Sequence, residues 1–95
     1  MVVEIATLFV KDEAENDFTS GFAEAAEILQ RQPGCRGLSW GKRVEPDLAF
    51  VLEVTWDQIE DHFKFRKTED YKTFGGLSRD YLSKPPEVVH FHPGG

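Results

Sequence analysis

The sequence contains one cysteine and no surplus of basic residues. Cys35 cannot form an intramolecular disulfide, so nothing in the chain requires an oxidising compartment, and we expect a cytoplasmic protein. Lys and Arg total 11 against 17 Asp and Glu, which gives a net charge of −6. Because nucleic acids and anionic membrane surfaces attract basic patches, this balance argues against both as partners.

The chain also lacks an apolar run long enough to span a membrane. Its N-terminal stretch VVEIATLFV has the length of a strand, contains the acidic Glu4 and follows no basic segment. We therefore interpret it as a strand and not as a signal peptide. With 95 residues, 40% of them hydrophobic and 29% charged, the composition is typical of a single globular domain over residues 1–95.

Hydrophobic periodicity predicts the order β-α-β-β-α-(α)-β. Apolar alternation and β-branched residues predict four strands, at residues 2–10, 36–44, 48–56 and 87–92. The spacing of apolar residues predicts helices over 17–32, 57–67 and 68–74, the second with Ile59, Phe63 and Arg66 on one side. The polar segment KDEAEND is expected to be a loop, and Gly75-Gly76 to end the third helix.

This order is that of a ferredoxin-like α+β fold, with a four-stranded antiparallel sheet and helices on one face. The opposite face would carry Val3, Ile5, Phe9, Val51 and Val89, which is too apolar for water. A symmetric homodimer is the simplest way to cover it, because a twofold interface needs only one self-complementary patch. Glu53 would lie on that face and pair with Lys42 or Arg43.

Three short patterns resemble a known superfamily: Trp40-Gly41-Lys42, Glu53-Val54-Thr55-Trp56 and the terminal EVVHFHP. They are similar to the dimeric α+β barrel proteins, in particular antibiotic-biosynthesis monooxygenase (ABM) domains and the stress-responsive barrels that include olivetolic acid cyclase. The resemblance covers essentially the whole chain. It implies a dimeric barrel, but the superfamily includes cofactor-free oxygenases, cyclases, lyases and haem-degrading enzymes, so the fold does not settle the reaction.

The departures from these families concern the helices. The resemblance implies a histidine on the helix after the tryptophan strand, where the chain places Phe65, and the tyrosine–histidine pair of the cyclase falls on Phe65 and Tyr71. The axial histidine of haem-degrading members falls on Gly75, so no haem and no other cofactor is expected.

Strand alternation favours an acid–imidazole pair between the first and last strands. Glu4, Ala6 and Leu8 form one parity class of the first strand, and Val88, His90 and His92 form one of the last. If both classes face the helices, Glu4 approaches His90 and makes it a general base near neutral pH. The resemblance implies that olivetolic acid cyclase holds a similar pair with the two groups exchanged, the histidine on its first strand and the acid on its last.

Apolar and aromatic residues are predicted to form a pocket around this pair for a flat aromatic or polyketide-like ligand. Tyr71 would donate a hydrogen bond to a developing enolate. The predicted pocket walls come from all three layers of the fold: Phe22, Trp40, Phe50, Leu52, Val54, Trp56, Phe65 and Phe74.

Other interpretations of these residues stay open. The Glu4–His90 pair can be a purely structural hydrogen bond and Tyr71 a packing residue. We expect His92 to be solvated and His62, which lies on a helix among charged neighbours, to be a surface residue. Glu4, His90 and His92 also have the composition of a two-histidine, one-carboxylate metal site, although the spacing is weak support and no metal is expected.

The sequence therefore predicts a small cofactor-independent enzyme whose reaction begins with proton abstraction. We prefer cyclisation, elimination or isomerisation as the reaction type. A cofactor-free ABM-type monooxygenase of an aromatic polyketide is one alternative. A non-catalytic dimeric module that binds a hydrophobic ligand or a partner enzyme is the other.

Overall fold

The computed structural model describes all residues, 1–95, and has the predicted ferredoxin-like α+β architecture. The strands are β1 (Val2–Phe9), β2 (Cys35–Lys42), β3 (Ala49–Trp56) and β4 (Glu87–Phe91). The helices are α1 (Glu15–Gln30), α2 (Ile59–Phe65) and α3 (Glu69–Gly76), with single 3-10 turns at Asp12–Ala14 and Arg79–Tyr81. The strands form one antiparallel sheet in the order β2-β3-β1-β4.

Most boundaries differ from the prediction by one or two residues, and two of these differences place residues inside helices that were expected to lie outside them. The segment expected to be a polar loop contains a 3-10 turn and the start of α1, where the acidic Glu15 and Asp17 suit the positive end of the helix dipole. Gly75 and Gly76 lie within α3 and form its last two positions. The N-terminus of this helix is capped by Thr68, whose hydroxyl accepts a hydrogen bond of 3.1 Å from the backbone N–H of Tyr71.

The core lies between the inner face of the sheet and the helices. The apolar positions that predict α1 are all buried: Phe18, Phe22, Ala25, Ala26 and Leu29. The alternate residues of β3 are buried against them: Phe50, Leu52, Val54 and Trp56. The apolar face of the helix and the inner face of the strand thus pack into one hydrophobic cluster.

The outer face of the sheet is partly covered by charged side chains. Val3 is buried, and the ring of Phe9 lies under Lys84, whose Nζ is 3.9 Å from the ring centroid. The exposed apolar surface is concentrated on β4, where Val89 is 61% and Phe91 48% exposed. The predicted ion pair of Glu53 is wrong, because Lys42 and Arg43 pair with carboxylates elsewhere: Glu15 for Lys42, Glu45 and Asp47 for Arg43.

None of the helices combines the length and the apolar character that crossing a bilayer requires.

Helix α1 approaches the segment after α3 at Gly21. A Cβ atom at this position would overlap the backbone carbonyl of Leu77, which cannot move away as a flexible side chain could. The glycine therefore permits the close approach that closes one end of the helical layer.

We expect Gly21→Ala to destabilise the fold by about 2 kcal/mol, although alanine favours a helix by about 1 kcal/mol over glycine. Denaturant unfolding measures the change. Gly76→Ala is the control, since no atom lies within 4 Å of its added Cβ and only the helix preference should act. An unchanged or raised stability of Gly21→Ala would contradict the close approach.

Candidate functional site

A cavity of about 430 Å³ lies between the β1–β4 half of the sheet and helices α2 and α3. Several predicted wall residues line it: Phe22, Leu52, Phe65 and Phe74. Glu4, Tyr71 and His90 line it as well. The size and the aromatic lining suit a small, flat, mostly apolar ligand.

The other four predicted wall residues do not reach this cavity. Trp40 packs on Phe22 and Phe50, with ring centroids at 4.9 and 6.1 Å, in the half of the sheet over which α1 lies. Val54 and Trp56 are completely buried and do not line the cavity. Strand alternation predicted the inner face correctly, but the position of the helices decides which part of that face stays open.

Glu4 lies on β1, the strand between β3 and β4, where it is opposite Val54 on β3 and His90 on β4. It is buried, and its Oε1 accepts a hydrogen bond of 2.9 Å from the indole Nε1–H of Trp56. The tryptophan thus serves the site as a buried donor that holds a carboxylate in place, and not as a wall.

His62 does not lie where the sequence predicts it. It was expected at the surface, yet it is buried on α2, stacks on Trp56 with ring centroids 5.4 Å apart, and faces the cavity. Its Nδ1 lies 2.8 Å from Nε2 of His90, so the two imidazoles share one hydrogen bond. Which ring donates depends on their tautomers.

The predicted contact between Glu4 and His90 is therefore indirect. Both side chains face the cavity, but no hydrogen bond joins them, and His62 lies beside both. Nδ1 of His62 is 3.5 Å from Oε1 of Glu4, and one potential ligand atom from each of the three residues lies within 4.8 Å of the others. The site is a cluster of three groups instead of a pair.

Burial sets the charge of this cluster. It lowers the pKa of His62 from 6.5 to about 4, with further contributions from His90 and Arg66. Burial and then Arg66 lower the pKa of His90 in the same direction. Burial raises the pKa of Glu4, while the Trp56 hydrogen bond and Arg66 act against that rise. At neutral pH the two imidazoles are uncharged and can act as bases.

The cluster also has the donors of a two-histidine, one-carboxylate metal site. In the sequence analysis this set was Glu4, His90 and His92. The structure replaces His92 with His62, because His92 is exposed and its Nδ1 lies 3.1 Å from the backbone oxygen of Met1. The three residues could thus hold a divalent first-row metal ion, with Trp56 orienting the carboxylate.

Polar groups that the sequence analysis did not select complete the lining: Arg66, Ser78 and Arg79. Tyr71 was selected, and its ring packs edge-on against Phe65 with centroids 5.3 Å apart. Nothing in the hydrophobic pattern identifies the arginines, since both are exposed overall and reach the cavity only through their long side chains. His62 could have been found from its spacing, because it precedes Phe65 by three residues on the same helix face.

Comparison with known proteins places this architecture among described ones. The family model described as "Antibiotic biosynthesis monooxygenase" matches residues 1–76. The chain is 33% identical over 92 residues to the uncharacterized protein YczJ of Bacillus subtilis, covering 96% of this chain and 97% of that protein.

Solved structures agree with this match. A protein from Bordetella bronchiseptica, provisionally assigned as an antibiotic biosynthesis monooxygenase, is 29% identical and superposes with a TM-score of 0.90 over 97% of this chain and 95% of its own. SnoaB of Streptomyces nogalater, a cofactor-independent oxygenase, is 19% identical, with a TM-score of 0.85 over 99% of this chain and 93% of its own, which shows the shared fold.

The buried neutral His62 predicts a particular pH dependence of stability. Between pH 6.5 and about 4 the unfolded chain binds a proton that folded His62 does not, so this residue lowers the free energy of unfolding as the pH falls. The loss reaches about 3 kcal/mol once the pH is below both pKa values. Glu4, with its raised pKa, acts in the opposite direction.

We expect His62→Gln to remove this loss, so that its stability falls less than that of the wild type between pH 7 and pH 4. Chemical denaturation at a series of pH values measures the difference in stability between the two proteins. Glu4 and His90 are present in both, so their contributions largely cancel in this difference. Identical pH profiles of the two proteins would show that His62 is not buried uncharged.

Proposed function

The chain belongs to the antibiotic biosynthesis monooxygenase family, and we propose that it is an enzyme that removes a proton from an aromatic or polyketide-like substrate, with His90 as the general base. One observation carries the proposal. Two imidazoles and a buried carboxylate face a cavity whose other walls are largely aromatic and aliphatic. Such a cavity removes water from the reacting groups, and the neutral imidazoles supply the base.

The hydrogen bond between the imidazoles gives the base a defined form. If Nε2–H of His90 donates to Nδ1 of His62, Nδ1 of His90 keeps its lone pair and accepts the substrate proton. The C–H or O–H bond of the substrate breaks, its electron pair moves onto a conjugated oxygen, and His90 becomes an imidazolium. His62 accepts a hydrogen bond from that cation, and Glu4 lies beside them as the counter-charge.

Arg66 and Tyr71 are placed to stabilise the oxyanion that forms. Arg66 follows α2 directly and lies close enough to the cluster to lower the pKa values of His62 and His90. Tyr71 lines the same cavity and its hydroxyl makes no hydrogen bond within the chain, so it is free to donate to a substrate oxygen. A cation and a hydroxyl donor are the groups that an enolate or phenolate requires.

The family match favours oxygenation as a continuation of this step, and so does the fold shared with SnoaB, a cofactor-independent oxygenase. A deprotonated aromatic substrate can pass electrons to molecular oxygen, whereas an enolate can instead attack a carbonyl group or expel a leaving group. Both routes need the same base and the same cavity. Consumption of dissolved oxygen together with the substrate would assign the chain to the oxygenases, and turnover without oxygen to the cyclases, lyases or isomerases.

The same cavity supports the alternative of a non-catalytic ligand-binding module, in which the cluster only completes the buried hydrogen bonding. A metal-dependent reaction is a further possibility that the donor set allows. Metal analysis of protein purified without a histidine tag, and activity after treatment with a chelator, test the cofactor-free proposal directly.

We also propose that the protein forms a homodimer through the outer face of the sheet. Val89 and Phe91 expose large apolar side chains there, next to the half-buried Ile5 and Val51. No helix covers this face, and a twofold axis through it would place the same patch of a second copy against it. The cavity lies on the other side of the sheet, so dimerisation and ligand binding are separable.

We expect His90→Asn to slow proton removal by about 100-fold or more, the usual contribution of a general base. The probe is benzoylacetone, an aromatic β-diketone, and the measurement is the rate at which its methylene protons exchange in D₂O, followed by NMR. His92→Asn is the matched control, because that histidine is exposed and lies outside the cavity. Its exchange rate should equal that of the wild type.

Two results would count against catalysis by His90. The first is equal exchange in the presence of wild type and His90→Asn. The second is a parallel loss of benzoylacetone binding and exchange in His90→Asn, which would favour the binding module. Circular dichroism and thermal unfolding of both variants exclude a trivial loss of the fold.

We expect Val89→Asp to dissociate the dimer, because the substitution places two carboxylates in an apolar interface without partners. Sedimentation velocity of the wild type and the variant measures the change. Val44→Asp is the control, since Val44 is 94% exposed in the turn between β2 and β3. A monomeric wild type, or a Val89→Asp protein that remains dimeric, would refute an interface on this face.

A further inference from the structure

The cavity is lined by more cationic than acidic side chains, although the net charge of the chain is −6. Arg66 and Arg79 both line it, and neither forms an ion pair. Glu4 is the only acidic residue of the lining, and it is buried and held by Trp56 and His62. The unpaired guanidinium groups make the cavity attractive to an anion.

Arg79 is set apart from the proton-abstracting cluster. Arg66 follows α2 directly and lowers the pKa values of Glu4, His62 and His90, whereas Arg79 lies on the 3-10 turn after α3 with its guanidinium against Gly75. The two guanidinium groups therefore serve different parts of the cavity. Arg66 belongs with the reacting atoms, and Arg79 is free to hold a remote part of the substrate.

The structure makes room for the Arg79 guanidinium. The group lies against Gly75, at the C-terminal end of α3, where a Cβ atom would overlap its Nη2. The adjacent Ser78 is buried, lines the cavity, and has a hydroxyl that forms no hydrogen bond within the chain. The guanidinium and the hydroxyl thus belong to neighbouring residues that both line the cavity, and their donors are not used by the chain itself.

We propose that the substrate bears a carboxylate that binds to the guanidinium of Arg79 and the hydroxyl of Ser78, a specificity that rests on the proposed function of the same cavity. Arginine binds carboxylates through two parallel N–H donors, and the serine hydroxyl can add a third. A phosphate monoester is less suited, because it carries nearly two charges and Arg79 with Ser78 supplies one. The substrate class is accordingly an aromatic or polyketide carboxylic acid.

A pair of probes that differ in charge but hardly in shape tests this assignment: 2-naphthoate and 2-naphthamide. We expect the wild type to bind naphthoate at least about tenfold more tightly, the usual effect of a hydrogen-bonded charge. Arg79→Gln should lower the affinity for naphthoate by about tenfold and leave that for naphthamide unchanged. Arg31→Gln, an exposed arginine outside the cavity, is the control and should change neither. Isothermal titration calorimetry supplies the affinities.

Two glycine variants test the position of the guanidinium without removing it. In Gly75→Ala the new methyl group would push Arg79 aside, so the preference for naphthoate should fall while the folded state stays at least as stable. Gly76→Ala adds a methyl group that has no atom within 4 Å, and it should keep the wild-type preference.

Equal affinity of the wild type for the two probes would overturn the carboxylate assignment. So would an equal effect of Arg79→Gln on both probes, or a failure of naphthoate to bind at millimolar concentrations. These results leave the proton-exchange test of His90 untouched. Conversely, His90→Asn should bind naphthoate like the wild type, so loss of catalysis and loss of carboxylate selectivity are told apart.

Discussion

The hydrogen bond from the Trp56 indole to the Glu4 carboxylate is the contact on which the interior of this protein depends. A carboxylate in the middle of an apolar sheet costs several kcal/mol unless donors satisfy it, and Trp56 is its one hydrogen-bond donor. His62 then stacks on that indole and hydrogen-bonds His90. Glu4, Trp56, His62 and His90 thus form one continuous series of contacts.

The members of this series come from four different elements. Glu4 lies on β1, Trp56 on β3, His62 on α2 and His90 on β4. Only Trp56 and His62 are close in the chain, so the cluster exists only when β1 is paired with β3 and β4 and α2 has docked on the sheet. The same docking leaves the space over β1 and β4 open, because α1 covers the other half of the sheet. The position of α2 therefore determines both the polar cluster and the cavity.

The family provides the scaffold but leaves the chemistry to individual residues. The family model ends at residue 76, whereas His90 and Arg79 lie beyond it, on β4 and on the 3-10 turn that precedes that strand. SnoaB shares the fold at 19% identity, a level at which the backbone is preserved while cavity residues are free to change. The combination of two imidazoles, a buried carboxylate and two unpaired guanidinium groups is thus best read from this chain itself.

Local patterns in the sequence determined the order of helices and strands along the chain and the buried faces of α1 and β3. They also put Glu4 and His90 on one side of the sheet, because a strand alternates its side chains with a period of two that packing cannot alter. The tertiary structure alone decided the rest. A helix of seven residues such as α2 can turn either the Phe63 or the His62 side inward, and the docking of α2 on Trp56 selected His62. Which aromatic residues line the cavity, and that long arginine side chains reach it, likewise depend on how the layers meet in space, which no spacing along the chain records.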